Sequence, residues 1–284
     1  MLYPACAGGA GPMAETFTRL ALDPDLEVIE VGPIHDRAVR RDVAQIARAA
    51  RVDLVSCGQM RILDEHLDLG AIDEGARQKA LQALHAELDA AVELGAGTLT
   101  VVSGPDPGPG LRDQAVRQLS RSLHELCDRA AGGSVQILIE PQDRDMQCKA
   151  LIGPTSDAME LYRQVGRSNF GLLIDHSHMA LLGERPVKVL PAAREAVRHV
   201  HIGNCVLDKA SRLYGDQHPP YGCRAGAYGT VQLAEFLRVL LDIAFFNTRQ
   251  RPVMSFEIRP PSPQAAELVL AGAKRSLRTA WLEV

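Results

Sequence analysis

The sequence lacks several features by which large classes of protein are recognised. No apolar run approaches the roughly 18 residues that a membrane span needs, and no basic segment precedes an apolar one at the start. We therefore expect no membrane association and no secretory signal peptide. The six cysteines are scattered and form no CxxC pair, which favours reduced thiols over disulfides or a zinc ribbon. Together these absences predict a cytoplasmic protein.

A basic excess is missing as well. Lys and Arg total 31 against 35 Asp and Glu, which gives a formal net charge of −4. Nucleic-acid-binding proteins normally carry a basic balance or a basic stripe, so we expect no nucleic acid as a partner. A hydrophobic fraction of 46% and a charged fraction of 23% are those of a globular protein. The composition thus indicates a globular protein that does not bind nucleic acid.

Short β-branched runs alternate with longer amphipathic stretches along the chain. The strand runs are nearly continuously apolar, as in parallel strands covered on both faces. Predicted strands cover residues 1–4, 26–31, 52–56, 98–103, 135–140, 171–175, 198–202 and 252–257, and helical patterns cover 73–94, 111–131, 155–165, 187–196, 231–244 and 263–282. Eight such strands predict an α/β fold in the form of a single (β/α)₈ TIM barrel domain over residues 1–284. A long insertion, residues 203–229, follows the seventh predicted strand and is expected to be an active-site loop.

One glycine-rich motif is better explained as a loop. Residues 9–14 match the G-x-G-x-x-A fingerprint of dinucleotide sites, and Glu30 lies about where a ribose-binding acid belongs. The strand before the motif would be interrupted by Pro4, and Pro12 removes an N–H group where the phosphate-binding backbone needs one. We interpret the motif as a flexible loop and keep Glu30 as a candidate substrate contact.

Four potential metal ligands end four consecutive predicted strands: Glu140, Asp175, His201 and Glu257. In a barrel these strand ends meet at one mouth. Carboxylates beside apolar strands are costly to bury unless they are paired or bind a metal, and a divalent cation relieves their mutual repulsion. Three carboxylates and one imidazole favour Mn²⁺, with Mg²⁺ or Co²⁺ as alternatives, over structural Zn²⁺. His199 has the same strand-face parity as His201, so the choice between them depends on position at the mouth.

These strand ends resemble a known family. Glu140-Pro141, Asp175-x-x-His178, His201-Ile202 and Phe256-Glu257 are similar to the metal-binding strand ends of xylose-isomerase-like barrels, above all the tagatose/psicose 3-epimerase group. The resemblance implies one Mn²⁺ or similar ion on the four ligands, with the two glutamates moving protons at a sugar carbon. It also implies that His178 contacts a substrate oxygen. The implied activity is a sugar isomerase or epimerase that acts through an enediolate beside a metal-bound carbonyl.

The sequence departs from the epimerase pattern at two sugar-contacting positions. Met146 stands where those epimerases have a glutamate, and Leu207 stands where they have a sugar-binding arginine. The metal ligands are therefore kept while the sugar contacts are changed.

The insertion has two interpretations that the sequence leaves open. Asp216 and His218, beside two prolines, form either a polar loop over the mouth or a surface loop with a turn. In the first case His218 is a candidate general base, Asp216 is a substrate contact, and Arg224 or Arg259 holds an anionic or carbonyl oxygen.

These features also resemble the catalytic subunits of C-glycoside deglycosidases. Those subunits are metal-dependent lyases that cleave 3-oxo glycosides by proton abstraction and β-elimination, together with a small partner chain. A lyase of this kind is the alternative function, and the corresponding protein partner is a small accessory subunit or a second copy of this chain. The small-molecule substrate, a sugar or glycoside, is implied only by these resemblances.

Two further classes share the barrel. Apurinic endonucleases need extra histidines at early strand ends, where this chain has residues 56–58 (Ser-Cys-Gly) and 103–104 (Ser-Gly). A non-catalytic sugar-binding barrel would need the loss of a ligand or base, and the sequence retains all four ligands.

Overall fold

The computed structural model describes residues 1–262 and 265–284. Seven strands lie within these residues: β1 (Val28–Val31), β2 (Asp53–Cys57), β3 (Thr98–Val101), β4 (Gln136–Ile139), β5 (Phe170–Asp175), β6 (Val197–Gly203) and β7 (Val253–Glu257). The helices are α1 (Met13–Ala21), α2 (Arg37–Ala50), α3 (Gln59–Asp64), α4 (Glu74–Leu94), α5 (Arg112–Ala131), α6 (Thr155–Val165), α7 (His176–Leu181), α8 (Pro186–Ala193), α9 (Thr230–Asp242) and α10 (Ala266–Trp281). The chain divides into two compact units, which are described separately.

The N-terminal unit comprises Ala5–Glu140 and Leu161–Gly171. Its strands β1 to β4 pair in parallel and in sequence order, with Val28 opposite Asp53, Val55 opposite Thr98, and Thr98 opposite Gln136. Parallel neighbours require crossover connections, and α2, α4 and α5 provide them. This arrangement confirms the predicted alternation of parallel strands and helices.

Strands β3 and β4 are buried on both faces. Leu99 and Thr100 point to opposite sides of β3 and both are fully buried, as are Ile137 and Leu138 in β4. Strands covered on both sides can carry apolar residues at every position, which explains the continuous apolar runs in the sequence. A polar side chain such as that of Thr100 must find a hydrogen-bond partner inside this layer.

The C-terminal unit comprises Met1–Pro4, Pro141–Glu160 and Leu172–Val284. Strands β5, β6 and β7 also pair in parallel, with Asp175 opposite His201 and Gly203 opposite Glu257. The helices that begin and end in this unit are α7 to α10. The register therefore brings the carboxyl ends of three strands, which carry three of the predicted ligands, to one edge.

The predicted strand at residues 1–4 is wrong. Residues 1–3 form no regular element, and a 3₁₀-helix begins at Pro4. Proline has no N–H to donate to a strand ladder, whereas its fixed φ suits the first turn of a helix. The seven other predicted strands are confirmed to within two residues at each end.

The predicted helices are confirmed, with shifted ends. The helix expected at 187–196 is α8 and ends three residues earlier, at Ala193. The predicted start of the last helix, Pro263, lies outside the described residues. The single-domain expectation remains a prediction. None of the helices in 1–262 and 265–284 has the length and apolar character needed to cross a membrane.

Arg77 joins two helices of the N-terminal unit. Its side chain is fully buried in α4, where it donates to Glu74 on its own helix and to Ser122 and Glu125 on α5. The Ser122 hydroxyl in turn donates to the carbonyl of Leu69, at 2.7 Å. A buried guanidinium with these partners is costly to remove, because its loss leaves a cavity and unsatisfied polar groups.

We expect Arg77→Ala to lower the free energy of unfolding by about 3 kcal/mol, measured by urea denaturation followed by circular dichroism. The matched control is Arg121→Ala. Arg121 also lies near Glu74, at 3.6 Å, but its side chain is largely exposed, so its removal should cost less than about 1 kcal/mol. Equal losses in the two variants would contradict the role given to Arg77.

Candidate functional site

Three of the four predicted ligands lie together in the C-terminal unit. Asp175 ends β5, His201 lies in β6 opposite Asp175, and Glu257 ends β7. Glu257 is two residues beyond Ser255, the strand partner of His201, so the two side chains are diagonal neighbours on one face. One ligand atom from each of the three residues lies within 4.8 Å of the other two. Strand register alone thus assembles the group.

Hydrogen bonds fix the orientation of these side chains. His201 Nδ1 donates to Glu257 Oε2 at 2.6 Å. Asp175 accepts from the backbone N–H of Ser177 at 2.8 Å and from the Ser177 hydroxyl. Asp175 is therefore held by the first turn of α7, and His201 and Glu257 hold each other.

The side chain of His199, the alternative ligand to His201, hydrogen-bonds to a different residue. Its Nε2 lies 2.7 Å from the hydroxyl oxygen of Ser255, one step back along the strands. His201 points instead towards Glu257 at the strand ends. This difference supports His201 as the ligand.

Two residues of the insertion lie against this group. His218 is buried, and its Nε2 is 2.8 Å from Asp216 Oδ1 and 3.8 Å from Glu257 Oε1. Its Nδ1 is 3.8 Å from Asp175 Oδ2. His178 lies beside them, with its Nε2 3.8 Å from both Asp175 Oδ2 and Asp216 Oδ2. The geometry therefore supports the interpretation of the insertion as a polar loop at the site, and Asp175, His178 and His218 form a second group with metal-ligand spacing.

Gly203 makes this approach possible. A Cβ atom at this position would lie 2.9 Å from the carbonyl oxygen of Glu257 and 3.0 Å from Nδ1 of His218. It would also lie 3.3 Å from Oδ1 of Asp175. Any side chain would separate the insertion from the strand ends. Sequence reasoning missed Gly203, although a glycine at a strand end beside a predicted ligand indicates close approach of another segment.

The insertion is anchored at several points. Val206 and Gly215 exchange backbone hydrogen bonds, which join the two ends of the segment between them. The Tyr221 hydroxyl donates to the carbonyl of Gly203 at 3.1 Å. Gln147, from the segment after β4, accepts from the backbone N–H of Asp216 at 3.0 Å. The loop that carries Asp216 and His218 is therefore a fixed part of the C-terminal unit.

The charges of the group shift its pKa values in opposite directions. Burial, with the negative charge of Glu257, raises the pKa of Asp175 to about 7. Burial opposes the ionisation of Glu257, but the positive charges of His218 and His201 outweigh it and lower the pKa of Glu257. Burial also disfavours charge on His218, yet Glu257 and Asp216 raise its pKa to about 10. The raised pKa of His218 thus favours its protonated form, whose positive charge compensates Glu257 and Asp216.

This donor set fits a divalent cation. Two ligands on one ion, with bonds of about 2.0–2.2 Å, lie at most about 4.4 Å apart, close to the spacing of Asp175, His201 and Glu257. His201 Nδ1 and Glu257 Oε2 are joined by a hydrogen bond, and an ion that bound both atoms would displace its proton, because metal binding to such ligands releases protons. Two carboxylates and one imidazole offer such a cation oxygen and nitrogen donors.

The remaining predicted residues are found as follows. Glu140 directly follows β4 in the N-terminal unit, is buried, and accepts from Gln59 Nε2 at 3.3 Å. Glu30 lies in β1 of the same unit and accepts from Cys57 Sγ at 3.3 Å. In the C-terminal unit, Arg224 and Arg259 are both exposed. Arg259 still contacts the insertion, because its backbone N–H donates to the carbonyl of His218.

A sequence model of a family described as xylose isomerase-like TIM barrel matches residues 19–278. The structure resembles a D-psicose 3-epimerase from Clostridium cellulolyticum H10, with 14% identity, coverage of 94% of each chain and a TM-score of 0.69. It also resembles an L-ribulose 3-epimerase (15% identity, 95% of this chain and 89% of that chain, TM-score 0.70). A 3-keto-D-glucoside 4-epimerase from E. coli is similar as well (19% identity, 84% and 85%, TM-score 0.61). Comparison with curated proteins gave no match.

The geometry predicts metal binding by the purified protein. We expect about one divalent ion per chain at the strand-end group, and Asp175→Ala should lose it, because a fully buried ligand is removed. Elemental analysis after dialysis against Mn²⁺ measures the content. Asp208→Ala, in an exposed part of the insertion, is the matched control and should keep the ion. Equal metal content in Asp175→Ala and the parent would exclude this group as the metal site.

Proposed function

The chain belongs to the xylose isomerase-like TIM barrel family, and on this premise we propose that it is a divalent-metal-dependent sugar isomerase or epimerase. It moves a proton at a carbon next to a substrate carbonyl, through an enediolate. The α/β TIM barrel fold expected from the sequence is confirmed by the family match. The observation that carries the proposal is the convergence of Asp175, His201 and Glu257 within 4.8 Å of one another.

We propose Glu140 as the fourth ligand. Glu140 directly follows the carboxyl end of β4. In the same way, Asp175, His201 and Glu257 lie at or near the carboxyl ends of β5, β6 and β7. In a (β/α)₈ barrel the carboxyl ends of all strands face one mouth, which is where barrel enzymes carry their active sites. When bound, Mn²⁺ or a similar ion would polarise the substrate carbonyl and stabilise developing negative charge.

Exposure distinguishes the roles of the ligands in the C-terminal unit. The Asp175 side chain is 0% exposed and that of His201 is 5% exposed, whereas that of Glu257 is 20% exposed. A group that removes a proton from a substrate must reach it, so we assign proton transfer to Glu257. Asp175 and His201 serve as ligands. We assign Glu140 to the opposite side of the substrate carbonyl, as the partner of Glu257 in proton return.

The polar residues of the insertion and His178 of α7 provide substrate contacts in this proposal. His178 and His218 both face Asp216, and their rings meet edge to face with centroids 5.9 Å apart. They present N–H groups suited to sugar hydroxyl or carbonyl oxygens. Arg224 lies in the insertion, and the backbone of Arg259 contacts it. Both side chains are exposed and are assigned to outer contacts with the substrate. Glu30 remains a substrate-contact candidate from the sequence alone.

A metal-dependent lyase that acts on 3-oxo glycosides is the second candidate function. Two observations favour it: the anchored polar insertion, and the similarity to an enzyme that acts on a 3-keto-D-glucoside. Both functions share the first step, removal of a proton next to a carbonyl. They differ in the next one, because elimination expels a leaving group whereas epimerisation returns the proton. Retention of the strand-end ligands argues against a non-catalytic binding barrel.

Hydrogen exchange tests the shared step. With Mn²⁺ in D₂O, the parent should exchange the substrate's carbon-bound proton, followed by NMR with a panel of free ketoses and 3-oxo glycosides. Glu257→Gln should slow exchange by about 10²–10⁴-fold, because the amide cannot accept the proton, while most of the side-chain shape is kept. Glu235→Gln, on the exposed side of α9, should exchange at the parent rate.

The outcomes separate the functions. Exchange accompanied by formation of the substrate's epimer supports the epimerase. Exchange accompanied by release of the aglycone supports the lyase. A parent that exchanges no substrate of either kind supports a binding protein. Equal rates in the parent and Glu257→Gln would instead move the base role to His218.

A further inference from the structure

A chain of three side chains in the N-terminal unit ends at Glu140. The Thr100 hydroxyl in β3 hydrogen-bonds to Gln59 Oε1, and Gln59 Nε2 donates to Glu140 Oε2 at 3.3 Å. The carbonyl oxygen of Ser56, in β2, lies 3.4 Å from the same hydroxyl. All four residues are buried. Neither Gln59 nor Thr100 has a place in the function described so far.

The fold explains why these residues meet. Cys57, the last residue of β2, pairs with Thr100, and Thr100 pairs with Leu138 in β4. Residues that follow β2 and β4 are therefore on either side of Thr100. Gly58 lets α3 begin directly against β3, because a Cβ there would lie 2.9 Å from the carbonyl oxygen of Thr100. Gln59, the first residue of α3, is thereby brought between Thr100 and Glu140.

The carboxylate of Glu140, which only accepts hydrogen bonds, and the hydroxyl of Thr100 together fix the orientation of the Gln59 amide. A hydroxyl has one proton, and of its two acceptors the oxygen of Gln59 is nearer than that of Ser56. Because the amide oxygen is thus directed to Thr100, the NH₂ group must face the carboxylate. A reversed amide would place its oxygen against Glu140 Oε2, which loses one hydrogen bond and adds a repulsion. Buried groups have no water to replace such a bond.

We propose that Gln59 and Thr100 are positioning residues that fix the carboxylate of Glu140 for metal binding. This inference rests on the proposed function, in which Glu140 is the fourth ligand. The NH₂ group of Gln59 donates to Oε2 of Glu140 and thereby fixes the orientation of the carboxylate. The carboxylate then does not have to be ordered when an ion binds. Hydrogen-bonding partners of metal ligands commonly change metal affinity by about 10–100-fold when they are removed.

Metal affinity measured without substrate tests the proposal. Metal-free parent and variants are titrated with MnCl₂, and free Mn²⁺ is followed by electron paramagnetic resonance. Thr100→Val keeps the shape and removes the hydroxyl, whereas Thr100→Ser keeps the hydroxyl. We expect Thr100→Val and Gln59→Met to raise the Kd for Mn²⁺ about tenfold or more, and Thr100→Ser to stay within about threefold of the parent.

The double variant provides a second test. Because both residues act through one amide, Thr100→Val should add little to the effect of Gln59→Met, and little to that of Glu140→Gln. Circular dichroism and the urea midpoint of the metal-free proteins check the fold. Valine suits a buried strand position, so the Thr100 pair decides the matter even where Gln59→Met does not fold.

The results separate a failure of the proposed function from a failure of the positioning role alone. A parent that binds no Mn²⁺ overturns the proposed function and this inference with it. A parent that binds Mn²⁺ while Thr100→Val binds equally tightly overturns the positioning role alone. The same holds if Thr100→Ser weakens binding as much as Thr100→Val, because the hydroxyl is then not what matters.

Discussion

The burial of Asp175 is the constraint on which the C-terminal unit's site depends. A carboxylate without solvent contact is unstable unless donors and positive charges surround it. Ser177 donates to it from the start of α7, and His201 lies opposite it across the strands. His178 and His218 approach from two further segments of the chain. Burial nevertheless raises the pKa of Asp175 to about 7, so these groups compensate the buried carboxylate only in part.

The compensation is itself suited to function. In the metal-free state, histidine protons balance the carboxylates, as the raised pKa of His218 and the lowered pKa of Glu257 indicate. A divalent cation could take over that balance without any change in the strands. The same groups would then be available for substrate. Such a site would keep its carboxylates compensated with or without a metal ion, because either protons or the ion can balance their charge.

The insertion is anchored beside the strand-end residues of the C-terminal unit. Its anchors at Gly203, Val206 and Gly215 fix the segment that carries Asp216 and His218. The strand-end ligand candidates are positioned by the regular geometry of a parallel sheet, whereas the insertion is a loop, which can vary without disturbing the strands. Such a separation would let a chain keep the proposed metal ligands while it departs from the epimerase pattern at Met146 and Leu207.

The order of the strands and the polar residues at their carboxyl ends could be predicted from the sequence, because both are local. A continuous apolar run predicts a buried parallel strand, and an acid directly after it marks the strand's carboxyl end. The same local reasoning placed a strand at residues 1–4, where Pro4 starts a 3₁₀-helix instead. Whether Asp216 and His218 lie at the site was left open, since loop sequences carry no periodicity. Only the tertiary structure revealed the close approach at Gly203 and the hydrogen bonds that join Thr100, Gln59 and Glu140. Strand register and close backbone approach join residues that are distant in the sequence, and a hydrogen bond between buried side chains leaves no pattern in either segment.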